Sequence, residues 1–123
     1  MELLGLFNKG WALRYLREAR AELTLARESR SSSQLFSLEA AKKAQACIHH
    51  CLGNPRSIEM LIFDTMLEER RPPDKVMELL LAVEQMIQMI ADADDPADAY
   101  RLATVAVELA SKVVERILGE GGR

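Results

Sequence analysis

The chain has 123 residues and a formal net charge of −3, a length typical of a single domain. Its 18 leucines and 16 alanines, against 12 valines and isoleucines, favour helices over strands, because β-branched residues suit pleated sheets. No apolar run approaches the roughly 20 residues that cross a bilayer, which excludes a membrane-spanning chain, and no signal peptide is indicated. We therefore expect residues 1–123 to form one all-α domain.

Glycine and proline divide the chain into uninterrupted stretches, each of which has helical periodicity. An apolar N-terminal segment, residues 1–10, is expected to precede the first helix, and residues 119–123 to form a flexible tail. Five helices joined by short connections predict an antiparallel bundle with a four-helix core. Helices are expected over residues 11–29, 34–52, 55–70 and 96–118, and apolar residues between Val76 and Ile90 mark a further one, the fourth in chain order.

The ends of these helices have recognisable signals. Asn54 and Asp95 each precede a proline, which predicts an N-cap followed by proline at the first helical position. The serines at 31–33 offer hydroxyl groups to the start of the second helix. Gly53 and Gly119 are expected to end the second and the last helix, since glycine accepts a left-handed backbone without penalty.

The spacing of apolar residues predicts which face of each helix is buried. Alanine dominates this face in the first, second and last helices, so we expect those three to pack closely. The third and fourth helices supply bulkier residues, and their methionines are expected to fill the core. Predicted inward residues are Ile58, Leu61, Ile62 and Thr65 in the third helix, Val76, Leu80, Val83, Ile87 and Ile90 in the fourth, and Ala99, Ala103, Ala106, Ala110, Val113 and Ile117 in the last.

Cys47 and Cys51 lie one turn apart in the second helix, a spacing poorly suited to a disulfide. A reduced protein in the cytoplasm is therefore expected. With His50, the two cysteines have the i, i+3, i+4 spacing that offers three ligands to zinc. The opposing interpretation places both cysteines in the core and His49 and His50 on the polar side of the helix. We favour the core interpretation and predict no metal or other cofactor.

Charge is distributed unevenly along the chain. Residues 1–60 have nine lysines and arginines against six acids, whereas residues 61–123 have seven against thirteen. The basic half predicts a surface that faces an anion such as RNA. The alternative is a solvated face, on which Arg14 pairs with Glu18 and Lys43 with Glu39 at i, i+4 spacing. Candidate binding residues are Arg14, Arg17, Arg20, Lys42, Lys43 and Arg56.

Three aromatic residues, Phe7, Trp11 and Tyr15, follow one another at four-residue spacing. They form a stripe beside the alanine and leucine stripe of the first helix rather than on it. Because a bundle helix needs one buried stripe, a second stripe indicates an interface between two copies of the chain. The alternative is that the N-terminal segment folds back over the core.

Three stretches of the chain resemble the HEPN superfamily of small helical bundles. They are LREARAELTLA at 16–26, SLEAAKKAQACIHHCLGNPRS at 37–57 and AYRLATVAVELASKVVERIL at 99–118, together about half of the chain. The resemblance implies a homodimeric bundle that acts on RNA or is the partner of a minimal nucleotidyltransferase in a toxin–antitoxin pair. The ribonuclease members have an arginine shortly before a histidine. Here positions 42–45, where that arginine would precede His49 or His50, hold lysine, lysine, alanine and glutamine.

The sequence therefore favours a non-catalytic, homodimeric interaction module whose partner is a nucleotidyltransferase or an RNA. One alternative is a degenerate ribonuclease that uses His49 or His50 as general base beside Lys42, Lys43 or Arg56. Another alternative is a metal-binding bundle that uses Cys47, His50 and Cys51.

Overall fold

A computed structural model describes residues 2–68 and 74–119, with side chains from residue 8 onward. The described residues form five α-helices and no strand, which confirms the all-α prediction. The predicted end of the third helix near Arg70 and the tail at 120–123 lie outside the described residues. The helices are α1 (Glu2–Glu28), α2 (Ser33–Leu52), α3 (Pro55–Leu67), α4 (Lys75–Asp92) and α5 (Pro96–Leu118).

The helix ends that were predicted from Asx-Pro and from Gly119 are confirmed, whereas Gly53 ends α2 at φ +147° and ψ −140°, outside the left-handed helical region. The Oδ1 atom of Asn54 accepts a hydrogen bond from the backbone N–H of Arg56 at 2.9 Å, at the start of α3. The Oδ1 atom of Asp95 accepts one from the backbone N–H of Ala97 at 2.9 Å, at the start of α5. Gly119 ends α5 in the left-handed region at φ +72°, where a side chain would be strained.

Two helix starts differ from the prediction. α1 begins at Glu2 rather than at residue 11, and its course includes Gly10. A glycine inside a helix costs only about 1 kcal/mol, so the helix continues through it. At the start of α2, the Ser32 side chain makes no capping hydrogen bond. Instead, the Ser29 hydroxyl accepts a hydrogen bond from the backbone N–H of Ser32 at 3.2 Å.

The packing directions of the helices follow from contacts near their two ends. α2 packs against all four other helices. Contacts that set the directions join Trp11 to His50, Glu18 to Lys43, Gln34 to Ala93 and Gln45 to Glu84. Early residues of one helix thus meet late residues of the next, so α1 and α4 run antiparallel to α2. α1, α2, α4 and α5 form the expected four-helix core, and among the described residues α3 contacts only α2 and α4.

The alanine faces of α1, α2 and α5 are buried as predicted. The contacts of Trp11 with His50 and of Glu18 with Lys43 bring Ala19 level with Ala41 and Ala44 on α2. Small side chains at these levels allow the helix axes to approach closely. The buried alanines are Ala12, Ala19 and Ala26 on α1, Ala40, Ala41 and Ala44 on α2, and Ala99, Ala103, Ala106 and Ala110 on α5.

Some large apolar residues that were predicted to face inward are exposed. Predicted core residues at the surface are Leu61 on α3, Val76 on α4 and Ile117 on α5, and the exposed methionines are Met60, Met66 and Met89. In compensation, Met77 on α4 and Val107 and Val114 on α5 are buried. The exposure of Leu61 follows from the position of α3. Within the part of the chain that the structure describes, α3 contacts two helices, so it buries a narrow arc that contains Ile58, Ile62 and Thr65.

Candidate functional site

The two histidines of α2 point to different sides of that helix, and this corrects the prediction that both lie on its polar side. His49 is only 3 % exposed and faces α3 and α4. His50 is half-buried and stacks on two rings of α1, with ring centroids 6.2 Å from Trp11 and 5.4 Å from Tyr15. The sequence pattern missed this because it treated both imidazoles as polar groups, although the histidine ring also packs well.

His49 lies at the wall of a cleft of about 140 Å³ between α2, α3 and α4. On the α2 side, the Gln45 amide donates a hydrogen bond to the Oε2 atom of Glu84 on α4 at 2.5 Å. This bond fixes one carboxylate at the cleft. The side chains that line the cleft are Gln45 and His49 from α2, Glu59, Ile62, Phe63 and Met66 from α3, and Glu84 from α4.

The surroundings of His49 favour its neutral form and leave one of its ring nitrogens without a hydrogen-bond partner among the described residues. Burial lowers the pKa of His49 below its usual value, and the nearby carboxylates of Glu59 and Glu84 oppose this shift only in part. Its Nε2 atom is buried and has no hydrogen-bond partner among the described residues. A buried polar atom without a partner costs about 1–3 kcal/mol, so a hydrogen-bond donor that reached Nε2 would be stabilising.

The aromatic stripe predicted as an interface is partly covered by its own chain. Trp11 and Tyr15 lie 5.7 Å apart between ring centroids, and both are only half-exposed. His50 covers them on the α2 side, and the Arg14 guanidinium lies 5.1 Å from the Trp11 ring centroid. The side chain of Phe7 lies outside the described residues. Trp11 and Tyr15 thus pack against α2 of the same chain, while the alternative that residues 1–10 fold back over the core stays a prediction.

Several candidate basic residues are engaged within the bundle. The predicted pair of Arg14 and Glu18 is present at 2.9 Å. Lys43 pairs with Glu18 across helices at 2.6 Å rather than with Glu39, and the Arg20 guanidinium donates to the Ser111 hydroxyl at 3.0 Å. The hydrogen bonds from Lys43 and Arg14 lower the pKa of Glu18, and the hydrogen bond to Glu18 raises the pKa of Lys43. Five of the six candidates are exposed, and Lys43 is partly buried; the exposed ones are Arg14, Arg17, Arg20, Lys42 and Arg56.

The residues of the ribonuclease alternative lie on different sides of α2. Lys43 is held by Glu18 on the α1 side of α2, where His50 also lies. His49 faces the opposite helices, α3 and α4, and Arg56 is exposed in the first turn of α3. A general base and a cationic group must both reach the reacting atoms, so this arrangement does not support catalysis by His49 beside Lys43.

The zinc candidates are also directed differently. Cys47 is buried, and a hydrogen bond with Cys51 together with burial raises the pKa of the Cys47 thiol. The thiolate is the form that binds a metal, so this environment disfavours coordination. The His50 ring is stacked on α1. Among the described residues, no group of three or more histidines, cysteines or acids is placed to hold a metal ion.

α3 has a second apolar face that points away from the core. Met60, Phe63 and Leu67 are 62 %, 61 % and 67 % exposed, respectively. Their i, i+3, i+7 spacing places them on one line along the helix, opposite the buried Ile58 and Ile62. We call these three residues the outer stripe. A search of α3 for two apolar lines instead of one would have found it in the sequence.

Acidic residues flank the outer stripe, and the cleft opens beside it. Glu59 and Asp64 are exposed on either side of the line through Met60, Phe63 and Leu67. Phe63 belongs both to the outer stripe and to the wall of the cleft. The apolar stripe, the acidic flanks and the cleft with its buried imidazole therefore form one continuous surface.

Within residues 2–68 and 74–119, no helix is long and apolar enough to cross a membrane. Comparisons with protein-family models, with curated proteins and with solved structures find no match to this chain.

Proposed function

We propose that this chain is a non-catalytic interaction module that binds a helix of a partner protein along the outer stripe of α3. The observation that supports the proposal is the exposure of Met60, Phe63 and Leu67 on a helix whose opposite face is already buried. Single exposed apolar residues are ordinary on protein surfaces. A contiguous line of three large ones is typical of a surface that a partner covers.

The geometry of the outer stripe favours a helix as the partner element. Its i, i+3, i+7 spacing repeats the a and d positions of a coiled coil, which are the positions that interlock with a facing helix. Amphipathic helices are commonly recognised through apolar residues at this spacing. A helix packed along α3 would remove the outer stripe from water without any change in the four-helix core.

The charges beside the outer stripe favour a different protein over a second copy of this chain. In the heptad set by the outer stripe, Glu59 and Asp64 occupy the two flanking positions. A second α3 in parallel would place Glu59 beside Asp64 of the other copy, and an antiparallel one would bring the two copies of Asp64 together. Like charges in these positions are unfavourable, whereas lysine or arginine on the partner helix would pair with them.

This proposal retains the protein partner that the sequence suggested. If the HEPN resemblance reflects kinship, the partner would be a nucleotidyltransferase of a toxin–antitoxin pair in the cytoplasm. A protein is favoured over RNA because Arg14 and Lys43 are paired with Glu18 and Arg20 is bonded to Ser111. The homodimer expected from the sequence is one of the outcomes that the sedimentation experiment below distinguishes.

Fluorescence anisotropy with a designed helical peptide tests the proposal. The peptide has leucine at its a and d positions and lysine at the flanking positions, and it should bind the wild-type protein. The double variant Phe63→Ser/Leu67→Ser should bind at least about tenfold more weakly, because about 1.4 kcal/mol corresponds to a factor of ten. The matched control Leu35→Ser/Ile117→Ser, which removes two equally exposed apolar side chains from α2 and α5, should bind as the wild type does.

Two further measurements separate the competing occupants. A peptide with glutamate in place of lysine should bind more weakly, and a peptide of scrambled sequence with the same charge should not bind. Equal binding by the two double variants would refute the proposal. Sedimentation that shows a wild-type dimer, dissociated by Phe63→Ser/Leu67→Ser but not by the control, would assign the outer stripe to a second copy and refute the partner-protein assignment.

A further inference from the structure

The cleft beside the outer stripe combines features that point to a ligand with many hydrogen-bond donors. The side chains of Glu59, Glu84 and His49 line it, and no lysine or arginine is among the described side chains that do so. Gln45 engages the Oε2 atom of Glu84 and leaves Oε1 to accept a further hydrogen bond. The cleft is therefore rich in acceptors and negative in charge.

We propose that this cleft binds a guanidinium group, presented by an arginine side chain of the helix that packs on the outer stripe. This inference deepens the proposed function and rests on it for the source of the arginine. Phe63 connects the two surfaces, because it belongs to the outer stripe and also lines the cleft. A side chain that extends from a helix on the outer stripe passes the Phe63 ring as it enters.

The size and the walls of the cleft favour a guanidinium over other ligands. Its volume of about 140 Å³ is well below the 300–1,000 Å³ typical of pockets for larger organic ligands, and it suits the head of one side chain. A guanidinium is planar and has five N–H donors, so it can bond to two carboxylates and stack on the face of an aromatic ring. The apolar walls formed by Ile62, Phe63 and Met66 do not suit a hydrated metal ion.

His49 completes the set of acceptors. The residue is 97 % buried, and its Nε2 atom has no partner among the described residues. Burial lowers the pKa of His49, so the ring is neutral near pH 7 and, with its proton on Nδ1, presents the lone pair of Nε2 as an acceptor. A guanidinium N–H that reached this atom would satisfy it, which a purely apolar side chain could not do.

The first experiment tests the cleft without any partner. Ethylguanidinium is titrated into the full-length protein at pH 7.5, and the imidazole resonances of His49, assigned by their loss in His49→Gln, are followed by NMR. We expect saturable shifts that propylurea, which has similar shape and no charge, does not cause. Glu59→Gln/Glu84→Gln should weaken binding at least tenfold, whereas Glu108→Gln/Glu115→Gln on the exposed face of α5 should not. Absence of saturable shifts, or equal binding by the two variants, would overturn the inference.

The second experiment identifies the source of the guanidinium. The designed peptide is made with one arginine at a flanking position and, in a second version, with glutamine there. Loss of the arginine should weaken binding to the wild type about tenfold and to Glu59→Gln/Glu84→Gln less than twofold. Equal losses on both proteins would overturn the inference while leaving binding at the outer stripe intact. Saturation by ethylguanidinium without binding of any peptide would instead refute the proposed function and assign the cleft to a free guanidinium compound.

Discussion

Replacing Ala44 by leucine tests whether α1, α2 and α5 pack as closely as their alanine faces indicate. Ala44 is fully buried on α2, at the level of Ala19 on α1. Leucine adds three carbon atoms at this position. If the helix axes are close together, the added atoms have no space, and the helices must separate or adopt strained rotamers.

The sign of the change in the free energy of unfolding decides the question. Overpacking of a close interface costs typically about 1–3 kcal/mol. If the helices were loosely packed, the same substitution would bury three additional carbons at about 0.8 kcal/mol each and would stabilise the protein by about 2 kcal/mol. The two possibilities therefore differ by about 3–5 kcal/mol, well above the error of a denaturation measurement.

Urea denaturation followed by circular dichroism at the helix band gives the required measurement. We expect the midpoint of Ala44→Leu to fall by about 0.5–1.5 M, because the dependence of the unfolding free energy on urea is about 2 kcal/mol per M for a domain of this size. Ala21→Leu is the control, since Ala21 is exposed on α1 and both residues are good helix formers. A midpoint for Ala44→Leu at or above that of Ala21→Leu would refute close packing of the alanine faces.

Three further substitutions test other parts of the structure by the same denaturation assay. Ile62→Ala should cost about 2–5 kcal/mol because its side chain is buried, whereas Phe63→Ala, one residue along α3, should cost about 1 kcal/mol or less; similar costs would contradict the assignment of the two faces. Asn54→Ala should cost about 1 kcal/mol because Asn54 caps α3, and Ser32→Ala should be near neutral because the Ser32 side chain makes no capping bond; the reverse order would show that the caps are misassigned. Burial lowers the pKa of His49 in the folded state below 6.5, so the unfolded state binds its proton first and stability is lost as pH falls below 6.5. His49→Gln should therefore show a smaller loss between pH 7 and pH 5 than the wild type, and an unchanged pH profile would indicate that His49 is not the group responsible.

Local signals in the sequence were sufficient to predict most of the fold. Asn54, Asp95 and Gly119 marked helix ends correctly, because a cap depends on a few neighbouring backbone groups. The alanine faces were also correct, since helical periodicity identifies a buried stripe whenever a helix has neighbours on one side. Gly10 was misleading because its cost is small compared with the stability of a long helix that packs on others.

The candidate site was harder to predict, because it depends on which helices meet. The environment of His49 is set by α3 and α4, and nothing near residue 49 in the sequence specifies them. Lys43 can pair with Glu39, four residues before it on α2, or with Glu18 on α1. Spacing within one helix predicts the pair with Glu39, whereas the structure shows the pair with Glu18. Periodicity of α3 gave one broad apolar face that included Leu61. The structure divides its apolar residues into two faces because, of the helices as described, α2 and α4 alone contact this one.

The stacking of Trp11 near Tyr15 and His50 makes the fluorescence of Trp11 sensitive to the contact between α1 and α2. Trp11 is the only tryptophan of the chain, and its ring lies against α2. Its fluorescence therefore reports the docking of α1 on α2, whereas circular dichroism averages over all the helices. If α3 detaches on its own, because its contacts with the core are few, the two signals will change at different denaturant concentrations. Coincident transitions would instead mean that the helix with the outer stripe unfolds together with the core.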